Sequence, residues 1–174
     1  GIGYAYESIK YGLQDFMIAG GAEELSVSEA VMFDVLYATS TKNKNPKQTP
    51  APFDKNRDGV VIGEGAATLI LENLESAQER GAAIYAELVG YGANSDGEHL
   101  TAPAVSGMKK AMLLALEDAN LTPEAIGYVN AHGTATEVGD IAESEATWLV
   151  FGEHIPISSL KGHIGHTMGG CGAL

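Results

Sequence analysis

Two stretches decide how this chain is read: they are Tyr128-Val129-Asn130-Ala131-His132-Gly133-Thr134-Ala135-Thr136 and Ser158-Ser159-Leu160-Lys161-Gly162-His163-Ile164-Gly165-His166. Each stretch follows or contains a short apolar run, as happens where a buried strand ends and presents polar side chains at its edge. Three of the chain's five histidines lie in these two stretches. We therefore expect a functional site where the two strands end.

Outward from these stretches, the sequence predicts alternating strands and helices. Apolar runs predict strands at 15–20, 66–71, 84–91, 126–130 and 155–158. Helical spacing predicts helices at 3–12, 26–37, 73–80, 107–120 and 140–151. The continuous apolar run at 15–20 suits a strand of a parallel sheet that is buried on both faces, followed by a turn at 20–24. This alternation predicts a layered α/β fold.

Bulk composition excludes several classes of protein. The 174 residues carry a formal net charge of -13, and nucleic-acid binding would need clustered cations instead. The chain has no apolar run that could span a bilayer and no visible signal peptide, so we expect no membrane partner. The single cysteine excludes an internal disulfide framework and fits the reducing cytoplasm.

A polar stretch at 39–59 predicts a long loop, which in a compact domain usually serves a function or an interface. Half of the chain's ten cationic residues lie in it: Lys42, Lys44, Lys47, Lys55 and Arg57. This loop is either a docking patch for an acidic partner or a solvated loop that binds nothing.

The histidines of the two stretches allow three interpretations. His163 and His166 lie three residues apart with Cys171 nearby, which is compatible with a metal site, but flanking glycines and the absence of a His-Glu-x-x-His helix speak against one. Alternatively, the histidines have no chemical role. The third option is acyl or carbon–carbon bond chemistry, in which two neutral imidazoles donate N–H groups to a developing oxyanion and a lysine sets the local field.

The third option has a specific match, because the sequence resembles the β-ketoacyl–acyl carrier protein synthases of the thiolase superfamily. The family's His-Gly-Thr-Ser-Thr motif corresponds to 132–136, followed by Gly139-Asp140 and Glu143. Its lysine-glycine-histidine motif corresponds to 161–166. Its Arg-Asp-Gly-Phe-Val-x-Gly-Glu-Gly segment corresponds to 57–65. The resemblance runs through the whole chain in order.

This resemblance implies an α/β, thiolase-like layered αβαβα fold, here incomplete. Residues 1–174 would form the central part of a single ketosynthase domain truncated at both ends, comprising the end of its first half and the start of its second. The implied reaction is the decarboxylative Claisen condensation of an acyl thioester with malonyl–acyl carrier protein. It would serve fatty acid, polyketide or polyene chain elongation.

The resemblance also implies roles for individual residues. His132 and His166 would bind the thioester carbonyl of malonyl–carrier protein and stabilise the enolate. Lys161 would support them, and Glu143 would be the acid that pairs with this lysine. Thr134 and Thr136 would hydrogen-bond the phosphopantetheine arm, although they could equally stabilise their own loop.

The partners expected from the resemblance are an acyl carrier protein, which brings the phosphopantetheine, and a second subunit in a homodimer or heterodimer. No metal and no other cofactor is expected. Lys42 and Lys44 are the predicted docking residues for the acidic carrier.

The family's nucleophilic cysteine has no match in this chain, and we expect it a few residues before Gly1. Cys171 falls where the family has alanine or glycine, so neither it nor His163 enters the implied mechanism. The fragment alone is therefore expected to be inactive. Because the nucleophile is not in view, a non-catalytic partner of a ketosynthase, like a chain-length factor, stays open as the alternative, although the retained histidines and lysine favour the enzyme.

Overall fold

The computed structural model describes residues 1–99 and 101–174, in which helices and strands alternate except that two helices, at 74–79 and 105–119, follow each other with no strand between them. The helices are α1 Ile2–Lys10, α2 Val27–Val35, α3 Leu74–Glu79, α4 Val105–Ala119, α5 Glu137–Phe151 and α6 Lys161–Ile164. The strands are β1 Phe16–Glu23, β2 Gly65–Glu72, β3 Val129–Asn130 and β4 Ile157–Ser158. Single 3-10 turns lie at Pro46–Gln48, Pro123–Ala125 and Met168–Gly170.

β1 and β2 form an antiparallel pair, with Phe16 opposite Glu72 at one end and Glu23 opposite Gly65 at the other. The described neighbour of the strand at 15–20 is therefore antiparallel and not parallel as predicted, and the turn predicted at 20–24 is wrong, because residues 20–23 belong to β1. An apolar run reports burial but carries no information on the direction of the neighbouring strand. Side chains of β1 alternate between exposed and half-buried positions, so one face of this strand is open in the described chain.

β3 and β4 form a parallel pair, in which Val129 lies opposite Ile157 and Asn130 opposite Ser158. Both strands are shorter than predicted, at two residues each. Parallel pairing places both carboxyl-terminal ends at the same edge, where the two polar stretches begin.

The predicted helices are present, with ends that differ by a few residues. α2 begins at a capping box, in which the Ser26 hydroxyl accepts the Glu29 N–H at 3.3 Å while the Glu29 carboxylate accepts the Ser26 N–H at 3.4 Å. α5 begins at Glu137, before the predicted start at 140, and Thr136 is its N-cap residue. This earlier start brings the helix directly against the His132 stretch.

The predicted strand at 84–91 is wrong, since the structure assigns no strand to these residues. Polar side chains bind its backbone instead: the Tyr6 hydroxyl donates to the Val89 carbonyl at 3.1 Å, and the Asp118 carboxylate accepts the Tyr91 N–H at 3.0 Å. A Cβ at Gly90 would lie 2.5 Å from the Ala115 carbonyl oxygen, so glycine is needed for this close approach to α4. Residues 84–91 are therefore held in place by the side chains of Tyr6 and Asp118 and by their close approach to α4.

None of the helices in the described part of the chain has the length and the apolar character needed to cross a bilayer.

Candidate active site

The ends of β3 and β4 bring the two polar stretches into contact. The Ala131 N–H donates to the Ser158 carbonyl at 2.8 Å, one step beyond the paired residues of β3. The Ser159 hydroxyl then donates to the carbonyl oxygens of His132, at 3.2 Å, and Gly133, at 3.0 Å. The two loops therefore build one site.

His132 and His166 face each other in this site. Their rings pack edge to face, with centroids 5.1 Å apart and planes at 83°. The Met168 N–H donates to His166 Nδ1 at 3.1 Å, so the neutral ring carries its proton on Nε2. Lys161 Nζ lies 3.4 Å from His132 Nδ1, and an ammonium group can only donate there, which gives His132 the same tautomer. Each ring thus has an Nε2–H group free to donate.

Both imidazoles are neutral at neutral pH. Burial lowers the pKa of His132 to about 4, and the positive charge of Lys161 acts in the same direction. Burial also lowers the pKa of His166 to about 4, with further contributions from His132 and Lys161. His132 nevertheless keeps solvent access on one side and His166 is only half-buried, so a ligand can reach both rings.

Lys161 is the buried cation of the site, with 7% of its surface exposed. Burial lowers the pKa of its amine, while the negative charges available at Cys171 and Glu143 oppose that shift. Its backbone N–H donates to the Ser159 hydroxyl at 3.3 Å. The first residue of α6 is thus held beside His132.

Glu143 has a different partner from the one that the resemblance implied. Its two carboxylate oxygens accept the backbone N–H groups of His132 and Gly133, each at 2.7 Å. Among the described residues, no ion pair within 4.0 Å joins it to Lys161. The predicted pairing is therefore corrected: both oxygens are taken by amides, and Glu143 holds the His132 backbone while acting on Lys161 through its charge alone.

Asp140, one turn before Glu143 on α5, holds the other end of the same loop. Its carboxylate accepts the Ala135 N–H at 3.1 Å and the Phe53 N–H at 2.7 Å. Burial raises the pKa of Asp140, whereas these amides and the charge of Arg57 favour its ionised form. Two carboxylates on one helical face thus fix the loop at both ends.

Arg57 completes this attachment. Its Nε lies 3.5 Å from Asp140 Oδ2 and donates to the Thr136 carbonyl at 3.0 Å, and its Nη2 donates to the Glu137 carbonyl at 2.7 Å. The sequence predicts no role for Asp140 and places Arg57 only among the cations of the polar loop at 39–59, although both residues lie in the motif segments 57–65 and 139–140. The two motif segments can therefore be recognised in the sequence, but the contact between Arg57 and Asp140 cannot.

Thr134 and Thr136 hydrogen-bond each other, with their hydroxyl oxygens 2.9 Å apart. Neither hydroxyl caps α5, although Thr136 is the boundary residue of that helix. The loop between them is strained, because Ala135 has a φ of +63°. Their predicted contact with a phosphopantetheine arm stays a prediction.

Cys171 lies inside the site, contrary to its exclusion on motif grounds. A ring nitrogen of His132, a ring nitrogen of His166 and the Cys171 sulfur all lie within 4.8 Å of one another. His163, the other residue left out, is exposed and does not belong to this group. The 3-10 turn after His166 carries Cys171 back towards the rings, and sequence spacing alone could not show that return.

The two predicted docking lysines differ in their surroundings. Lys42 Nζ lies 3.5 Å from Asp58 and also donates to the Asn56 carbonyl, so its charge is used within the loop. Lys44 is exposed, as are Lys47 and Lys55. The structure therefore favours Lys44 over Lys42 as a residue available to a partner.

Comparison with known proteins identifies the family to which this chain is similar. The family model described as "Beta-ketoacyl synthase, N-terminal domain" matches residues 1–77, and "Beta-ketoacyl synthase, C-terminal domain" matches 85–174. The chain is 49% identical over 174 residues to "3-oxoacyl-[acyl-carrier-protein] synthase 1" of Haemophilus influenzae, covering 99% of this chain and 42% of that protein. It is 44% identical to "3-oxoacyl-[acyl-carrier-protein] synthase 2" of Vibrio cholerae, covering 99% and 44%.

Solved structures give the same result and confirm the thiolase-like fold class. A β-ketoacyl synthase from Burkholderia phymatum is 63% identical, with a TM-score of 0.97 over 99% of this chain and 42% of that one. A ketosynthase solved in complex with its type II polyketide acyl-carrier protein is 40% identical, with a TM-score of 0.94 over 99% and 44%. The chain spans less than half the length of all these relatives.

Proposed function

The chain belongs to the β-ketoacyl synthase family, and we propose that it is the central part of a condensing enzyme that extends acyl chains by decarboxylative Claisen condensation. The observation that carries this proposal is the His132–His166 pair. Two neutral imidazoles, each with its Nδ1 occupied, leave two Nε2–H donors for one oxyanion.

The proposed reaction needs such donors at the decarboxylation step. The malonyl thioester loses CO2, and the electron pair of the broken carbon–carbon bond becomes an enolate whose negative charge lies on the thioester oxygen. The Nε2–H groups of His132 and His166 stabilise that oxygen. The enolate carbon then attacks the acyl thioester held on the enzyme, a carbon–carbon bond forms, and the enzyme thiolate leaves.

Lys161 supports this arrangement from the far side of His132. Its amine sits at Nδ1, so the proton of the imidazole stays on Nε2, where the oxyanion forms. Glu143 and Asp140 fix the backbone of the loop that carries His132, which reduces the reorganisation needed during the reaction. The positions of Thr134 and Thr136 in this loop support their proposed contact with the phosphopantetheine arm.

The acyl group in this proposal is carried by a cysteine that the family resemblance places before Gly1. The proposed partners are an acyl carrier protein and a second ketosynthase-like subunit, and the proposed compartment is the cytoplasm. We assign the carrier-docking role mainly to Lys44, because the charge of Lys42 is balanced by Asp58. No metal or organic cofactor takes part in the proposed reaction.

The test is an assay of the full-length protein with an acyl–carrier protein and malonyl–carrier protein. We expect CO2 release and a 3-oxoacyl–carrier product two carbons longer than the primer, both detected by mass spectrometry. A protein that binds both substrates but forms product only when a separate ketosynthase is added would instead be the non-catalytic partner. Release of CO2 without any longer product would also contradict the proposal.

A further inference from the structure

We propose that Phe53 is a positioning residue of the condensing site, and that its aromatic ring holds Gly133, and with it the adjoining His132, in place. The effect of Phe53 on the reaction rate rests on the proposed function, whereas its contact with Gly133 does not. Phe53 lies in the polar loop at 39–59, for which the sequence predicts either docking of a partner or no role. This loop therefore has a second role, inside the site.

The backbone of Phe53 is strained. Its φ is +65°, in the left-handed region that a bulky side chain rarely adopts. Such strain persists only where the surrounding structure enforces it, and it concentrates at functional sites. Ala135 and Met168, which follow the two histidines closely in the chain, also have positive φ angles, of +63° and +34°. Three strained residues thus lie in the segments that build the site.

Contacts on both sides of Phe53 enforce its conformation. Its N–H donates to the buried Asp140 carboxylate at 2.7 Å, and the same carboxylate accepts the Ala135 N–H at 3.1 Å. The preceding residue, Pro52, packs on Gly162: its Cδ lies 3.5 Å from the point where a Cβ would stand on that glycine. Phe53 is therefore attached to both polar stretches of the site.

The ring of Phe53 packs against Gly133. Its Cε2 lies 3.0 Å from the point where a Cβ would stand on Gly133, and the Ser159 Cβ lies 2.4 Å from the same point. Gly133 itself has a φ of +41°. Only a glycine therefore fits beside Phe53 and Ser159. The two side chains hold Gly133 where its N–H reaches the Glu143 carboxylate at 2.7 Å.

The ring also stands between Gly133 and a cavity of about 390 Å³, which Phe53 lines. Further lining residues are Arg57, Asp140 and Trp148. Without the ring, water from this cavity would reach the Gly133 amide and compete for Glu143, and the loop would lose the surface that fixes it. A displacement of about 1 Å can lower the rate of a reaction by about 10²-fold. Phe53 thus acts on the reaction through the position of His132.

The first test is the rate of CO2 release from malonyl–carrier protein by the full-length protein in single turnovers. Phe53→Gly removes the ring and also relieves the strained backbone, so it should unfold at no lower temperature than Phe53→Ala. We expect Phe53→Gly to slow CO2 release about tenfold or more, with an unchanged half-saturating substrate concentration. Phe53→Tyr keeps the ring and should retain most of the activity.

Trp148→Ala is the matched control, because it removes an aromatic side chain that lines the same cavity and is 53% exposed. It should release CO2 at nearly the rate of the unaltered protein. An unaltered rate in a folded Phe53→Gly variant, or an equal loss in Trp148→Ala, would overturn the inference.

A double-variant comparison separates positioning from general damage to the fold. In a His132→Ala background no imidazole is left to be positioned, so Phe53→Gly should cause almost no further slowing. Damage to the fold would slow the reaction by the same factor with and without His132. Equal factors in the two backgrounds would therefore contradict a role that acts through this histidine.

Hydrogen exchange of the full-length protein tests the contact without the reaction. The amides of His132 and Gly133, which both donate to Glu143, should exchange faster in Phe53→Gly than in the unaltered protein and in Phe53→Tyr. If the unaltered protein has no condensing activity, the proposed function fails, but exchange that is faster only in Phe53→Gly still shows that the ring holds Gly133. Unchanged exchange at both amides would overturn the inference.

Discussion

Arg57 and Asp140 form the pair that joins the loop after α2 to the first turn of α5. The guanidinium Nε lies 3.5 Å from the carboxylate, and only 12% of the Arg57 side chain and 2% of the Asp140 side chain are exposed. The same guanidinium binds the carbonyls of Thr136 and Glu137. The pair thereby holds the loop on which His132, Thr134 and Thr136 lie.

We expect Arg57→Met to lower the free energy of unfolding by about 3 kcal/mol, because removing one partner of a buried ion pair leaves the other uncompensated. Arg57→Lys should recover little, since lysine cannot bind several carbonyls with one planar fork. Urea denaturation measures both changes. Arg80→Met is the control: Arg80 pairs with Glu72 but is 58% exposed, so its loss should cost much less. Equal losses for Arg57→Met and Arg80→Met would contradict the role of the buried pair.

Glu143→Ala should destabilise the protein through the backbone of the His132 loop. Two buried amides, those of His132 and Gly133, would lose their acceptor, at about 1–3 kcal/mol each. Glu143→Gln keeps one carbonyl oxygen and should lose clearly less stability. Urea denaturation compares the two variants, with Glu145→Gln on the exposed side of α5 as the control. If Glu143 acted only through its charge on Lys161, Gln and Ala would have equal effects.

His132→Ala and His166→Ala should each slow CO2 release from malonyl–carrier protein by about 10²–10³-fold, as expected for the loss of one oxyanion donor. The measurement is single-turnover decarboxylation by the full-length protein. The double variant should be little slower than either single variant, because the two donors act on one oxygen. His163→Ala, which changes a histidine outside the pair, should stay near the unaltered rate. A similar loss in all three single variants would contradict the assignment.

Sequence patterns suffice for the helices, for the presence of the strands β3 and β4 and for the family, because these depend on local periodicity and on ordered motifs. They failed where a contact between distant segments decides the outcome. The direction of β1 depends on β2, and the segment at 84–91 is held by Tyr6 and Asp118 rather than by a strand. In the site, the motifs identified the histidines and Lys161. The partner of Glu143 and the return of Cys171 required the folded backbone.

Lys44→Glu should raise the Michaelis constant for the acyl carrier protein severalfold with little change in kcat, because an exposed cation steers an acidic partner. The effect should shrink as salt is added. Lys110→Glu on α4, an exposed lysine far along the chain from this loop, is the matched control. Lys42→Glu should instead lower the melting temperature, since it places a second acid beside Asp58. An unchanged Michaelis constant for Lys44→Glu at low salt would remove this residue from the docking surface.

Asp118 should make stability depend on pH in a defined range. Hydrogen bonds from Lys10 and Tyr6, together with the Tyr91 N–H, lower the pKa of its carboxyl to about 2. A carboxyl whose pKa is lower in the folded than in the unfolded state stabilises the fold above the unfolded pKa, about 3.9, and that contribution is lost as the pH falls towards the folded value. Asp118→Asn should therefore melt below the unaltered protein at pH 7, and the difference should narrow below about pH 4. Circular dichroism measures the melting temperatures, with the exposed neighbour Glu117→Gln as the control for the charge change. A difference that stayed constant down to about pH 2 would show that Asp118 stabilises α1 and α4 by packing rather than through its ionised form.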